Sequence, residues 1–213
     1  MFFDLDDTLY PSTSGVWNAI GERMDTYIIK NLGLAPTVVM QIRNDLFHEY
    51  GTTLRGLKTL YDIDEQAFLD FVHDIPLEHF LQKDDVLIET ISACNGRKIV
   101  FTNASQGHAE RVLSILGIAD FFPEIIDILQ MAPYCKPLPE AYRKAMEISQ
   151  IQDPEKCVLI DDSPRNLKTA HEMGFFTIQV GADTRCMFAD AAVLSIHDLP
   201  EVIPARQGGR TER

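Results

Sequence analysis

Three short apolar runs in this chain each end abruptly in polar residues able to do chemistry. Met1-Phe2-Phe3 runs into Asp4-Leu5-Asp6-Asp7-Thr8. Arg97-Lys98-Ile99-Val100-Phe101 runs into Thr102-Asn103-Ala104-Ser105. Cys157-Val158-Leu159-Ile160 runs into Asp161-Asp162-Ser163. Apolar runs of this length, bounded by turn formers, read as buried strands. Helical stretches separate them, so the strands are expected to lie parallel in one α/β sheet covered on both faces. Such sheets bind ligands beyond the carboxyl ends of their strands. A helix N-cap or an acidic turn is the plain alternative for Asp4 and Asp6 taken alone; three such endings in order weigh against it.

The segment 9–15 is rich in turn formers and should leave the sheet as a loop. From 16 to 95 the pattern is helical almost throughout. Val16, Ile20, Met24, Tyr27 and Ile28 recur on one face up to Gly33, and Pro36 opens a helix carrying Val39, Ile42, Leu46 and Phe47. Further helices are expected around 54–61, 65–73 and 84–94. No strand pattern interrupts them. The expected organisation is therefore a Rossmann-like core, 1–14 and 84–206, with a helical insert, 15–83, after the first strand. Within the core, Ser105 suits the N-cap of a helix ending before Gly117, Pro139 and Pro164 suit helix starts, and Gly174 suits a stop. Strands are also expected at 125–129, 176–180 and 192–196. The polar end, 207–213, is expected to be a disordered tail.

With 46% hydrophobic residues the chain can build a real core, and its net charge of −13 argues against non-specific binding to nucleic acid or anionic membranes. The four cysteines lie far apart with no C-x-x-C pair, which suits reduced thiols in the cytoplasm. No apolar stretch reaches membrane-spanning length, and the acidic strand at Met1 gives no expectation of a basic-then-apolar leader.

If the sheet is parallel, Asp4, Asp6, Thr102, Asn103, Asp161 and Asp162 meet at one edge, and Lys136 lies in a loop between the second and third runs. Four carboxylates crowded together raise one another's pKa. A hard cation with oxygen ligands resolves the conflict, and octahedral Mg2+ that keeps several waters suits two or three carboxylates.

Asp-x-Asp-x-Thr, a strand ending in Thr, Lys-Pro, and a strand ending in Asp-Asp follow one another as in the haloacid dehalogenase-like hydrolase superfamily, which this chain resembles over nearly its whole length. The insert resembles that superfamily's C1-type cap. The resemblance implies an Mg2+-dependent phosphomonoesterase. Asp4 would be the nucleophile that forms an aspartyl-phosphate. Asp6 would be general acid and then general base, with its peptide carbonyl on the metal. Thr102 would bind phosphoryl oxygens, Asn103 would orient nearby groups, and Lys136 would offset charge. Asp162 would contact the metal, with Asp161 beside or behind it. The dehalogenases lack an acid at the Asp6 position because halide needs no proton, so Asp6 favours phosphate esters. The superfamily's last motif is often Asp-Ser-x-x-Asp; here Asn166 fills the last place and cannot be an anionic ligand.

A closer resemblance, to the pyrimidine 5'-nucleotidase group, rests on Leu9-Tyr10, Tyr50-Gly51-Thr52-Thr53-Leu54-Arg55-Gly56-Leu57, Thr102-Asn103-Ala104 with His108, and Asp161-Asp162-Ser163 with Asn166. It implies a nucleoside monophosphate such as UMP or CMP as substrate, with Tyr50 and Arg55 holding it from the cap. Arginine offers fork-like donors, and tyrosine can stack on a base. The plain alternatives are packing for Tyr50, a solvated helix position for Arg55, a structural or exposed His108, and core or hinge packing for Trp17. The remaining histidines show no metal-ligand spacing. The rival functions are a phosphatase for another small ester, such as a sugar phosphate or phosphoglycolate, a phosphomutase, and a non-catalytic phosphate-binding protein.

Overall fold

A computed structural model describes residues 1–203. Its strands are β1 (Phe2–Phe3), β2 (Ile99–Phe101), β3 (Glu124–Ile126), β4 (Val158–Asp161), β5 (Phe176–Val180) and β6 (Ala191–Val193). They form one sheet in the order β3-β2-β1-β4-β5-β6, with every neighbouring pair parallel. The chain leaves β1 at the centre, builds β2 and β3 on one side, then returns to place β4 on the other. The strand order thus reverses at β1, which opens a crevice at the carboxyl end of the sheet. Phe3 pairs with Val100 on one side and Ile160 on the other, and the Asp4 amide donates to the Ile160 carbonyl at 2.9 Å. This register brings Asp4, Thr102 and Asp161 out at one edge.

Between β1 and β2 lie α1 (Val16–Leu32), α2 (Pro36–Tyr50), α3 (Thr53–Tyr61), α4 (Glu65–His73) and α5 (Asp85–Ala93). The rest of the chain adds α6 (Gln106–Leu116), α7 (Pro139–Ile148) and α8 (Pro164–Glu172). Their limits follow from local chemistry. Proline opens α2, α7 and α8. The side chains of Thr52, Asp64, Asp84 and Ser105 accept the amides of Arg55, Ala67, Leu87 and His108, each three residues on. Such caps contribute about 1 kcal/mol apiece. Gly33 and Gly117 end α1 and α6 in the left-handed conformation.

Successive strand residues face opposite sides of the sheet. Phe2 meets Phe101 and Phe175 at 5.8 and 5.9 Å between ring centroids, while Phe3 meets Phe122 at 5.2 Å. Phe101 also meets Tyr142 of α7 edge-on. In the insert, Tyr27 of α1 packs edge-on against Phe68 and Phe71 of α4.

β3 and β6 stop short of their expected spans. β3 ends at Ile126 because the Asp127 carboxylate accepts the amides of Gln106 and Gln130 and turns the chain. β6 ends at Val193 because Ser195 caps a short 3-10 turn by accepting the His197 amide. Among the described residues no helix is long and apolar enough to cross a membrane. The expected tail, 207–213, lies outside the described residues.

Candidate active site

At the carboxyl edge of the sheet Lys136 is fully buried, and its Nζ donates to Asp4 Oδ1 at 2.7 Å and to Asp161 Oδ2 at 2.9 Å. Burial alone would lower the Lys136 ammonium, but the charges of Asp161 and Asp4 outweigh it and hold the pKa above its ordinary value. For Asp4 burial is the largest influence and pushes the carboxyl well above the usual carboxylate range; Lys136 opposes the shift, and Asp161 and Asp162 add to it. Asp161 is tied down most completely. Its Oδ1 accepts from the Ser163 amide and from Asn166 Nδ2, and its Oδ2 accepts from Asn166 and Lys136. Asn166 therefore orients an anion where the superfamily pattern has a second one.

Asp162 is freer. Its amide donates to Thr8 Oγ1 at 3.1 Å, and Thr8 Oγ1 in turn lies 3.3 Å from Asp4 Oδ2. Burial, Asp161 and Asp7 push the Asp162 carboxyl up to about 7. Asn103 and Lys136 exchange two bonds: Asn103 Nδ2 donates to the Lys136 carbonyl, and the Lys136 amide donates to Asn103 Oδ1, both at 2.9 Å. Asn103 thereby fixes the loop that carries the lysine. Thr102 is buried, and its Oγ1 accepts the Ala104 amide.

The donor set fits a hard divalent cation. Asp4, Asp161 and Asp162 each bring one carboxylate oxygen within 4.8 Å of the others. One ammonium faces three carboxylates, and two of those have raised pKa values. The Asp6 side chain stands outside this cluster.

The Asp6 carboxylate instead accepts from the Tyr10 hydroxyl and lies 2.8 Å from His108 Nε2. Burial would raise Asp6, but His108 and Tyr10 outweigh it and hold the carboxyl below its ordinary value, so it accepts from both. Burial and the Asp6 charge keep Tyr10 protonated. His108 is buried, not exposed, and bonded to the predicted acid. Its ring stacks on His73 of α4, which burial and His108 lower to about 3 and so keep neutral. The sequence alone gives Thr8, Tyr10, His73 and Asn166 no individual role. Tyr10 carried one usable signal, its position four residues after Asp6.

A cleft of about 710 Å³ opens over this edge. Asp4, Asp6, Asp7, Thr102, Asn103, Lys136 and Asp162 line its floor, and residues of the insert line its roof. Tyr50 and Arg55 are not among the lining residues, contrary to the expectation that they hold substrate. The Tyr50 ring lies over Gly56, where a Cβ would come within 3.0 Å of Tyr50 Cδ2. Arg55 is buried, and its guanidinium donates to Glu65 and to the carbonyls of Ile128 and Tyr134. Arg55 thus joins α3 and α4 to the loop preceding Lys136. Trp17, expected in the core or a hinge, is 47% exposed and lines the cleft, as do Phe47 and Arg43.

A parallel sheet that reverses order at the strand bearing Asp4, with lysine and two further aspartates beside it, defines a class of hydrolase. The family model of the haloacid dehalogenase-like hydrolases matches residues 1–174, and the chain belongs to that family. It is 29% identical over 187 residues to Phosphate metabolism protein 8 of Saccharomyces cerevisiae, a match covering 81% of this chain and 58% of the yeast protein; the chain thus spans little more than half of that relative's length. Among solved structures it is similar to a HAD phosphatase from Thermococcus onnurineus, with a TM-score of 0.64, 16% identity, and 94% of this chain and 95% of the other covered. A HAD-hydrolase of Bacillus subtilis, solved bound to magnesium, gives a TM-score of 0.63 at 18% identity over 96% and 97%. L-2-haloacid dehalogenase from Xanthobacter autotrophicus gives 0.59 at 15% identity over 95% and 96%. At these identities the likeness is one of fold.

Proposed function

We propose that this chain is an Mg2+-dependent phosphomonoesterase that works through an aspartyl-phosphate and acts on pyrimidine nucleoside monophosphates such as UMP and CMP. The observation that carries the reading is the buried pair of Asp4 and Lys136, set at the floor of an open cleft beside a second aspartate, Asp6. A halide leaves without a proton, whereas an ester oxygen needs one, and in this reading Asp6 would supply it. The yeast relative is named for phosphate metabolism, which suits the same class.

In this reading an Asp4 carboxylate oxygen attacks phosphorus, forming an Asp4 O–P bond as the ester P–O bond breaks. Asp6, ionised before substrate binds, takes the proton of the monoanionic phosphate ester and passes it to the leaving oxygen. Asp6 then takes a proton from water as that water attacks phosphorus, which frees Asp4 and releases inorganic phosphate. Lys136 holds Asp4 in line and offsets its charge. Thr102 and the neighbouring backbone receive phosphoryl oxygens, and Asn103 keeps the lysine loop in place. Asp4, Asp162 and the peptide carbonyl of Asp6 would hold Mg2+, with Asp161 behind them; when bound, the ion supplies positive charge for the phosphoryl oxygens. For the nucleoside, the cleft volume lies in the range of small-molecule sites. Its roof includes Trp17, Phe47 and Arg43, and the Arg165 guanidinium lies over the Phe47 ring at 4.9 Å.

The test is initial-rate phosphate release with Mg2+ on UMP, CMP, dUMP, AMP, GMP, phosphoglycolate and sugar phosphates, with Asp4→Asn as the blank. A pyrimidine preference supports the whole reading. A flat or sugar-weighted profile keeps the phosphatase and removes the nucleotidase. An isomerised product without free phosphate indicates a mutase, and no product from folded, metal-loaded protein indicates a binding role. Wild-type turnover by Asp4→Asn would sink the mechanism.

A further inference from the structure

We propose that His108 is a positioning residue that fixes Asp6 for proton transfer, and that His73 ties this positioning to the seating of α4. The inference rests on the reading of Asp6 as acid and base.

The two side chains that reach the Asp6 carboxylate, Tyr10 through its hydroxyl and His108 through Nε2, bind the same oxygen, Oδ1. Both of these hydrogen bonds end on Oδ1 and neither on Oδ2, and Asp6 lines the cleft. Two donors on one oxygen stop the carboxylate from turning over. They leave Oδ2 to pass a proton to the leaving oxygen and to take one from water.

His108 is itself backed by α4 and α6. Its side chain is wholly buried, and its ring stacks on His73 at 4.3 Å between centroids and 20° between planes. Its own amide donates to Ser105 Oγ at 3.4 Å, and the same Oγ lies 2.9 Å from His73 Nδ1. Arg111, on α6 with His108, donates to the carbonyls of His73 at 3.0 Å and Ile75 at 2.7 Å. The carboxyl end of α4 is thereby clamped on α6 where His108 stands. If α4 lifted away, His108 would lose its backing ring.

A packing role alone does not account for this imidazole. His108 Nδ1 is buried without a hydrogen-bond partner among the described residues, which is unfavourable. An apolar ring in the same place would avoid that cost. The bond from Nε2 to Asp6 is what an apolar ring cannot supply.

The experiment compares two phosphate esters in single turnovers of the full chain with Mg2+. UMP has an alkoxide leaving group that needs a proton. 4-Nitrophenyl phosphate has one that leaves without it. His108→Ala is expected to slow uridine release from UMP by about 10- to 100-fold while changing 4-nitrophenolate release by no more than about 2-fold. His108→Gln, whose amide can again donate towards Oδ1, should recover much of the loss on UMP. His73→Ala should show the same split between the two esters. Equal slowing of both esters by His108→Ala, or a His108→Gln variant no better than alanine, would overturn the proposal. Asp4→Asn, run alongside, separates the two claims. If it stays inactive, an unsplit His108 result removes only the role of His108; if it turns over, the aspartyl-phosphate reading falls and the inference falls with it.

Discussion

The backbone of Gly51 meets the side chain of Cys135 where the insert touches the sheet: a Cβ on Gly51 would lie 2.9 Å from Cys135 Sγ and 3.3 Å from the Lys136 carbonyl. Gly51 also has φ +87, a conformation L side chains rarely adopt. Gly51→Ala should therefore combine backbone strain with overpacking and cost about 2–4 kcal/mol. It should also displace the Lys136 loop and lower kcat. Urea denaturation and steady-state rates on one preparation check both; an alanine variant of wild-type stability would contradict the close approach.

Arg55 distinguishes a structural tie from a substrate ligand. Its guanidinium binds Glu65 and two carbonyls, one of them that of Tyr134, two residues before Lys136. Arg55→Ala leaves Glu65 half-buried and unpaired and should cost about 2–4 kcal/mol of stability. Turnover should fall through kcat, with KM for UMP held within about 2-fold. A large rise in KM at unchanged kcat would return Arg55 to the substrate.

The two adjacent aspartates should part company on mutation. Asp161 is fully buried and accepts from Lys136, Asn166 and the Ser163 amide, so Asp161→Asn should cost about 3 kcal/mol or more in stability. Asp162 is less encumbered. Asp162→Asn should remain folded but raise the Mg2+ concentration for half-maximal rate by about 10-fold or more. Chelation should silence the wild-type enzyme and added Mg2+ restore it. Metal titrations and melting curves of the two variants are the measurement, and equal metal dependence would refute the division.

Asp84 supplies a pH signature away from the cleft. It caps α5 through the Leu87 amide and lies 2.9 Å from His197 Nε2. Burial would raise its pKa, but these partners outweigh burial and the carboxyl titrates below its ordinary value. A carboxyl with a folded-state pKa below the unfolded one adds stability that is complete above the unfolded value, about 3.9, and fades as pH falls through the folded value. Asn also caps helices well. Asp84→Asn should thus lose roughly 0.5 kcal/mol at pH 6 and almost nothing at pH 3, after allowance for its partial exposure. Thermal midpoints of both proteins across that range decide it.

The amino-acid order alone determined the alternation of elements and the residues at the floor of the cleft. Proline starts, the Ser105 cap and glycine stops are local chemistry, so α2, α6 and α7 were legible within a residue or two. Asp4, Thr102, Asp161 and Asp162 were legible because strand ends in a parallel sheet share one edge, whereas Lys136, in a loop, was legible only through the Lys-Pro motif of the family resemblance. Where the strands stop was less legible, since Asp127 and Ser195 end β3 and β6 through side-chain bonds that periodicity does not encode. Only the tertiary structure decided the fate of the insert's polar residues. Nothing local separates an arginine aimed at a ligand from one that satisfies core carbonyls, and packing turned Arg55 to the second task. Likewise His73 and His108 lie far apart in the chain, and only the docking of α4 on α6 stacks their rings behind Asp6. Those contacts depend on how two helices meet, which the chain's order specifies only through the whole fold.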